Sequence, residues 1–329
     1  MKHFVGALLG LAMLATSVPA QATNVICAYD PAGKSGDYFK LLEDFALEAS
    51  TWGAEVEVKA YTDEETAAKD YDAGKCQGVV ATGVRLQRFN RFPTTLEAIG
   101  ALPTYDHLKY AINDLQKYSP PNLIKGEHET AAIVPIGAVY LFVRDRSIDT
   151  VGELAGKRIA TMDYDKAAPV MVDGIGAIMV PADLGSIGPK FNNGDVDACY
   201  VSAPAYAPFE LHRGIGTEGG VIKYPIAQAT MQLLIRHSAF PADFGKKSRT
   251  YFYNKFDEIV DLVKKAESEI PADKWIEITG TEDFDDMFLG VRLKLRDEHG
   301  AYDATMLKAM RKKRCAIDKS RSECIELKE

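Results

Sequence analysis

The 329-residue chain predicts an α/β protein of two lobes. Short apolar runs alternate with amphipathic stretches, a β-α-β rhythm that implies parallel sheets with right-handed crossovers. The rhythm occurs twice, and two further apolar runs stand where the chain could cross between the halves. At roughly 100–200 residues per domain, the length accommodates two such units.

The first unit opens with Asn24–Tyr29 (NVICAY), a β-rich run followed by the turn formers Asp30-Pro31-Ala32-Gly33. Ser35 is placed to cap a helix in which Tyr38, Leu41, Leu42 and Phe45 recur at helical spacing. Glu55–Ala60 alternates as a strand, Glu64–Ala73 reads as a polar helix, and Gly78–Ala81 (GVVA) as a fully apolar strand. In the second unit Ala138–Val143, Gly156–Thr161, Ala177–Val180 and Ala198–Val201 read as strands at βα spacing, and Met231–Arg236 as one more. The chain then turns helical, with Phe256, Ile259, Val263, Ala266 and Ile270 on one face, and further helices over 282–295 and 304–313. The expected division is residues 23–140 plus 231–329 for the first lobe and 141–230 for the second, AVYLFV and MQLLIR being the crossings.

Residues 1–22 carry Lys2, an apolar run from Phe4 to Leu14, and the small-x-small site Ala20-Gln21-Ala22. That is the grammar of a signal peptide cleaved after Ala22, and the run is too short for a bilayer, which needs roughly 20 apolar residues. Export to an oxidising periplasm is the expectation. The formal charge of −8 repels phosphates and argues against a nucleic-acid partner. The six histidines form no metal-ligand pattern, and no nucleophile motif occurs. We therefore expect no enzyme, no cofactor and no metal. The acidic clusters Asp63-Glu64-Glu65 and 282–286 read as solvated helix faces, and Arg311-Lys-Lys-Arg314 as a helix C-terminus.

Three stretches carry a resemblance. TVGELAGKRIAT (150–161) resembles a segment of type II periplasmic solute-binding proteins, especially TRAP-transporter receptors. FNNGDVDACY (191–200) is similar to their Gly-x-x-Asp stretch after a helix, and DAGKCQGVVA (72–81) looks like its first-lobe counterpart. Within that group the chain resembles the AdeT-like solute-binding proteins. The resemblance implies a periplasmic-binding-protein-like architecture with a ligand cleft between the lobes. It also implies a receptor that captures a small polar molecule between hinged lobes for an inner-membrane transporter or efflux component. The alternative is an envelope or efflux accessory with no transported ligand of its own. One departure concerns the ligand: where TRAP receptors carry an Arg that forks onto a carboxylate, this chain has Ala160. Strand alternation puts Arg158 on the same face, either replacing that guanidinium or lying at the surface.

Ligands of α/β sheets bind beyond the carboxyl ends of strands, which nominates the following candidates. Asp30, Lys34, Ser35 and Asp37 surround a helix N-terminus, either a site for an anionic or polar group or an ordinary capped turn. Gly33-Lys34-Ser35 is not a P-loop, because Ala28 stands where its first Gly belongs. Arg85 and Arg88, three apart, could share a helical face at the cleft or face solvent. Asp163, Tyr164, Tyr200, Ser202 and Tyr206 follow two second-lobe strands, with tyrosines suited to stacking on a ligand or to a core.

Of the five cysteines, Cys315 and Cys324 can close a local loop, and Cys27 and Cys76 lie on elements expected to be neighbours. Cys199 is left over in an apolar strand, as an inert thiol.

Overall fold

Asn24–Tyr29 forms β1 in the computed structural model, which describes residues 23–329. The expected leader, residues 1–22, lies outside the described residues. All of β1 except Val25 is buried, as suits a central parallel strand covered on both faces. It pairs in parallel with β2 (Val56–Tyr61) and with β3 (Gly78–Thr82). Between them α1 (Asp37–Ser50) buries Phe39, Leu42, Phe45 and Ala49, one apolar stripe on the sheet. α2 (Glu64–Asp72) is capped by the Asp63 carboxylate, which accepts from the Thr66 N–H.

Two short turns, α3 (Gly83–Leu86) and α4 (Arg91–Thr94), lead to α5 (Tyr105–Tyr118). Sequence reading passed over α5, although Thr104 caps it and Leu108, Ala111, Ile112 and Leu115 are buried at helical spacing. After β4 (Ile124–Lys125), β5 runs over His128–Val143, ten residues further back than the run expected from sequence. Pro135 and Gly137 hid its first half, because both weaken a strand pattern. The strand absorbs them with a bulge: the register against β10 (Ala227–Arg236) slips between Ala229 and Thr230, opposite Pro135 and Gly137. Gly137 sits at φ +118°, and a Cβ there would lie 2.6 Å from Pro204 Cδ, so the position requires glycine.

The second lobe contains β6 (Arg158–Met162), α6 (Ala167–Gly174), β7 (Ile178–Ala182), α7 (Ile187–Asn193), β8 (Ala198–Ser202), α8 (Leu211–Ile215) and β9 (Gly220–Ile222). The sheet order β2-β1-β3-β10-β5-β8-β6-β7 places the long strands β5 and β10 at its centre. β10 pairs with β3 and β5 with β8, and the two pair with each other, so they join the two halves of the sheet.

The C-terminal part comprises α9 (Phe244–Asn254), α10 (Phe256–Glu267), β11 (Trp275–Ile276), α11 (Thr281–Asp297), α12 (Ala304–Ile317) and α13 (Ser322–Ile325). The sequence reading gave residues 231–329 wholly to the first lobe. Instead β11 pairs with β9, and α11 packs on α6, so this segment braces the second lobe as well.

Disulfides join Cys27 to Cys76 and Cys315 to Cys324, with Cα atoms 5.9 and 5.5 Å apart, and Cys199 is free and buried. Burial pushes the Cys199 thiol pKa far up, which keeps it protonated and unreactive. Of the acidic run read as a solvated face, Glu64 is buried while Asp63 and Glu65 are exposed. Arg314 stands in the last turn of α12, the helix C-terminus expected there, and both Arg311 and Arg314 are buried. Arg314 and Arg321 donate to Glu323 at 3.0 and 2.9 Å, and Arg292 and Arg314 both bind the Glu329 carboxylate. These partners lie far apart in sequence or beyond the helix, so no local pattern could reveal them.

Candidate functional site

The carboxyl ends of β1, β3, β6 and β8 converge on a cavity of about 480 Å³ between the lobes. Its walls are largely apolar, with Leu41, Ile136 and Val139 near the strand crossing and Ile259 and Val263 contributed by α10. Of the residues expected there, Asp30, Ser35, Asp37, Tyr164, Tyr200 and Ser202 line it. Lys34, Arg85, Arg88, Asp163 and Tyr206 do not, and each has a physical reason.

The helix N-terminus expected to receive an anionic ligand group is occupied by the chain itself. Asp30 accepts from the N–H groups of Ala32 (2.9 Å) and Phe39 (3.1 Å), so its carboxylate supplies the negative charge the α1 terminus favours. Ser35 does not cap α1. Gly36 is the N-cap, and the Ser35 hydroxyl donates instead to the Ala32 carbonyl at 2.7 Å. Lys34 points into solvent.

Arg85 and Arg88 do not act as a pair, because α3 ends at Leu86. Arg88 forms an exposed ion pair with Asp72. Arg85 binds Glu64 Oε2 at 3.3 Å and stacks over the Tyr164 ring, 3.5 Å from its centre. Asp163 is exposed, and Tyr206 packs near-parallel to Phe142 inside the second-lobe core. Arg158 does not replace a carboxylate-binding guanidinium. It grips Asp197 at 2.9 and 3.2 Å away from the cavity, while Ala160 is buried among Phe142, Phe191 and Cys199.

Sequence reading missed two acids that line the cavity, Glu97 and Asp165. Glu97 Oε1 accepts from the Thr230 N–H and hydroxyl (both 2.6 Å) and from the Gly83 N–H (3.2 Å). Among the described residues its Oε2 has no hydrogen-bond partner. A Cβ on Gly83 would fall 2.6 Å from this carboxyl, so glycine is what admits it. Burial, followed by the neighbouring charge of Glu64, raises the Glu97 pKa to about 8 against the opposing hydrogen bonds from Thr230 and Gly83. Asp165 accepts from the Ala167 N–H (2.8 Å) and the Tyr200 hydroxyl (3.2 Å), and burial raises its pKa too. A signal for Glu97 exists in the sequence: it is a lone acid in the apolar stretch Leu96–Leu102.

The two lobes also touch directly. The Tyr164 hydroxyl, after β6, donates to Glu64 Oε2 at the start of α2. Such a cavity can enclose a small molecule, hold it on apolar walls and orient it with a few polar groups. Among the described residues no group of His, Cys, Asp and Glu is arranged to hold a metal.

The model of the family described as solute-binding protein AdeT 1/2 matches residues 46–329. The chain belongs to this AdeT 1/2 solute-binding family. It is 39% identical over 302 residues to the "Probable solute-binding protein AdeT1" of Acinetobacter baumannii, covering 90% of this chain and 98% of that one. It is 27% identical to the "Probable solute-binding protein AdeT2" of the same organism, over 69% of this chain and 96% of that one. Among solved structures, a TRAP periplasmic solute binding protein from Desulfovibrio desulfuricans with bound sn-glycerol-3-phosphate superposes with a TM-score of 0.71 at 15% identity, covering 89% and 97% of the two chains. One from Shewanella oneidensis with bound succinate gives 0.69 at 10% identity, covering 89% and 99%. The AdeT-family chain thus has the two-lobed TRAP-receptor fold, with its cavity between the lobes.

Proposed function

We propose that this protein is a periplasmic receptor whose lobes close on a small molecule and present it to an inner-membrane transporter. The observation that carries this reading is the cavity lined from both lobes and bridged by Tyr164 and Glu64. Closure is a population shift: a ligand touching both walls favours the closed state by its extra contacts there. The bulge at Pro135–Gly137 in β5, where two long strands cross between lobes, is the natural place for bending. Asp30, Ser35, Asp37, Tyr164, Tyr200 and Ser202, with Glu97 and Asp165, would be the residues facing the ligand.

The expected leader 1–22 supports export, and the solved structures named above are described as periplasmic proteins. The accessory reading predicts a cleft filled by the protein's own side chains, and a space of about 480 Å³ favours the receptor over it. The test is a thermal-shift screen of small molecules, followed by small-angle scattering on the hits. A receptor contracts when a hit is added. Stabilising hits that leave the radius of gyration unchanged would refute closure.

A further inference from the structure

Resting on the receptor reading, we propose that the ligand is a small apolar amine, bound as its ammonium ion with Glu97 as counter-ion and its carbon skeleton on the apolar wall.

The first support is the charge of the cavity. Among the described residues, four that line it are acids, Asp30, Asp37, Glu97 and Asp165, and none is Lys, Arg or His. An anionic ligand would be buried with no opposite charge to answer it, which is strongly unfavourable in a site of low dielectric. The succinate and glycerol phosphate of the solved neighbours are anions, so this cavity differs from what those ligands require. The second support is the state of the acids. Asp30 spends both oxygens on backbone N–H groups, and Asp165 bonds Ala167 and Tyr200. Asp37 is exposed and pairs with Lys40, so of the other three Glu97 alone keeps an oxygen with no hydrogen-bond partner among the described residues, on the wall of the cavity. Tyr38, Tyr200 and Tyr302 also line the cavity, and aromatic rings attract cations, as the Tyr164 ring already does with Arg85.

The third support is the space next to the cavity. A second, polar space of about 560 Å³ adjoins the cavity and shares Tyr29, Pro31, Leu184, Pro208 and Phe209 with it. Its acids are Asp63, Glu64, Glu65, Asp183 and Glu210, against Arg85 and Arg213. Both arginines are already paired, with Glu64 and Glu210. Acidic surroundings of this kind concentrate cations beside the cavity.

Among the described residues, the cations on the elements packed around Glu97 are engaged by other groups or exposed. Arg85 of α3 is held by Glu64, and Arg91 of α4 donates to the Gly300 carbonyl. On α12, Asp303 caps the helix, Lys308 and Lys312 are exposed and Lys313 pairs with Asp114. Arg292 of α11, which donates to the Ile99 carbonyl, binds the Glu329 carboxylate, and Arg311 and Arg314 bind the Glu329 carbonyl and Glu323. Arg236 lies at the far end of β10, beside Glu127. Tyr302, whose hydroxyl accepts from the Ile99 N–H, and Asp165 line the same cavity as Glu97. A neutral, protonated Glu97 therefore awaits a positive partner, and an arriving ammonium ionises it and releases a proton.

The test compares 2-phenylethylammonium, 3-phenylpropanoate and 2-phenylethanol by calorimetry and thermal shift on the full disulfide-bonded protein. The ammonium is expected to bind at least about tenfold more tightly than the other two. At pH 7 its heat should change with the ionisation enthalpy of the buffer, the signature of proton release. Glu97→Gln, which keeps an acceptor for Thr230 and Gly83, should weaken the ammonium at least about tenfold. Should that variant fail to fold, Asp165→Asn provides the second arm, with a smaller loss expected. The amine assignment is overturned if the acid or alcohol binds as tightly, if neither variant weakens the ammonium, or if no probe binds. Lobe closure on an anion or neutral compound in the wider screen would overturn it while leaving the receptor intact. No closure with any compound would remove both.

Discussion

The Tyr164 hydroxyl donates a 3.1 Å hydrogen bond to Glu64 Oε2, joining a loop of the second lobe to a helix of the first. The Arg85 guanidinium completes the contact, lying on the Tyr164 ring and reaching the same Glu64 oxygen. This arrangement exists only while the lobes are together, so its free energy counts toward closure and not toward folding of either lobe. Tyr164→Phe keeps the stacked ring and removes the hydroxyl. A hydrogen bond to a carboxylate is worth on the order of 1.5 kcal/mol. We expect up to about a tenfold loss of ligand affinity, and a larger radius of gyration for the free protein. Unchanged scattering and affinity would mean that the contact does not bias closure.

Glu97 makes the stability of the free protein depend on pH. Its folded pKa of about 8 lies above the ordinary value of 4.5, because burial disfavours the carboxylate. Between those values the folded chain holds a proton that the unfolded chain releases. The stabilisation is full below about pH 4.5 and is lost as pH rises towards 8, by at most about 1.4 kcal/mol per unit. Glu97→Gln removes this term, so its melting temperature should fall less than wild type's between pH 6 and pH 8. Parallel curves for the two proteins would contradict the buried-acid account.

The two disulfides should contribute unequally. Cys27–Cys76 spans 49 residues and Cys315–Cys324 nine. In the chain-entropy model these loops are worth about 4 and about 3 kcal/mol. Replacing both Cys27 and Cys76 by alanine should lower the melting temperature more than replacing Cys315 and Cys324. Peptide mapping without reduction should find both bridges, with Cys199 alkylated only after denaturation. Cys199 in a bridge would refute the pairing.

Much of the fold was legible because it is written in short-range periodicity. β1, α1, β2, α2 and β3 fall within one or two residues of the runs that announced them. The Cys27–Cys76 pair followed from that order, since β1 and the turn before β3 are neighbours in the sheet, and Cys315–Cys324 from their closeness in sequence. Where the reading failed, a local rule met a tertiary exception. Pro135 and Gly137 look like strand breakers, yet a bulge lets β5 run through them. Arg85 and Arg88 look like a binding pair, yet the helix that would align them is one turn long.

The site divides the same way. Positions after strands were enough to nominate Tyr164, Tyr200 and Ser202, because in an α/β sheet the chain itself carries those residues to the cleft. The chemistry of the cleft depends on which charges meet, and that is settled by residues distant in sequence. Asp30 neutralises the α1 terminus, Glu64 occupies Arg85, and Asp197 holds Arg158. With each basic candidate engaged by a neighbouring acid or turned to solvent, the cavity is left to its acids, Asp30, Asp37, Glu97 and Asp165. Residue order determined the α/β grammar, the family and the disulfides, all properties of local pattern. The sign of the cavity's charge is a property of partners, and partners are chosen only when the chain has folded.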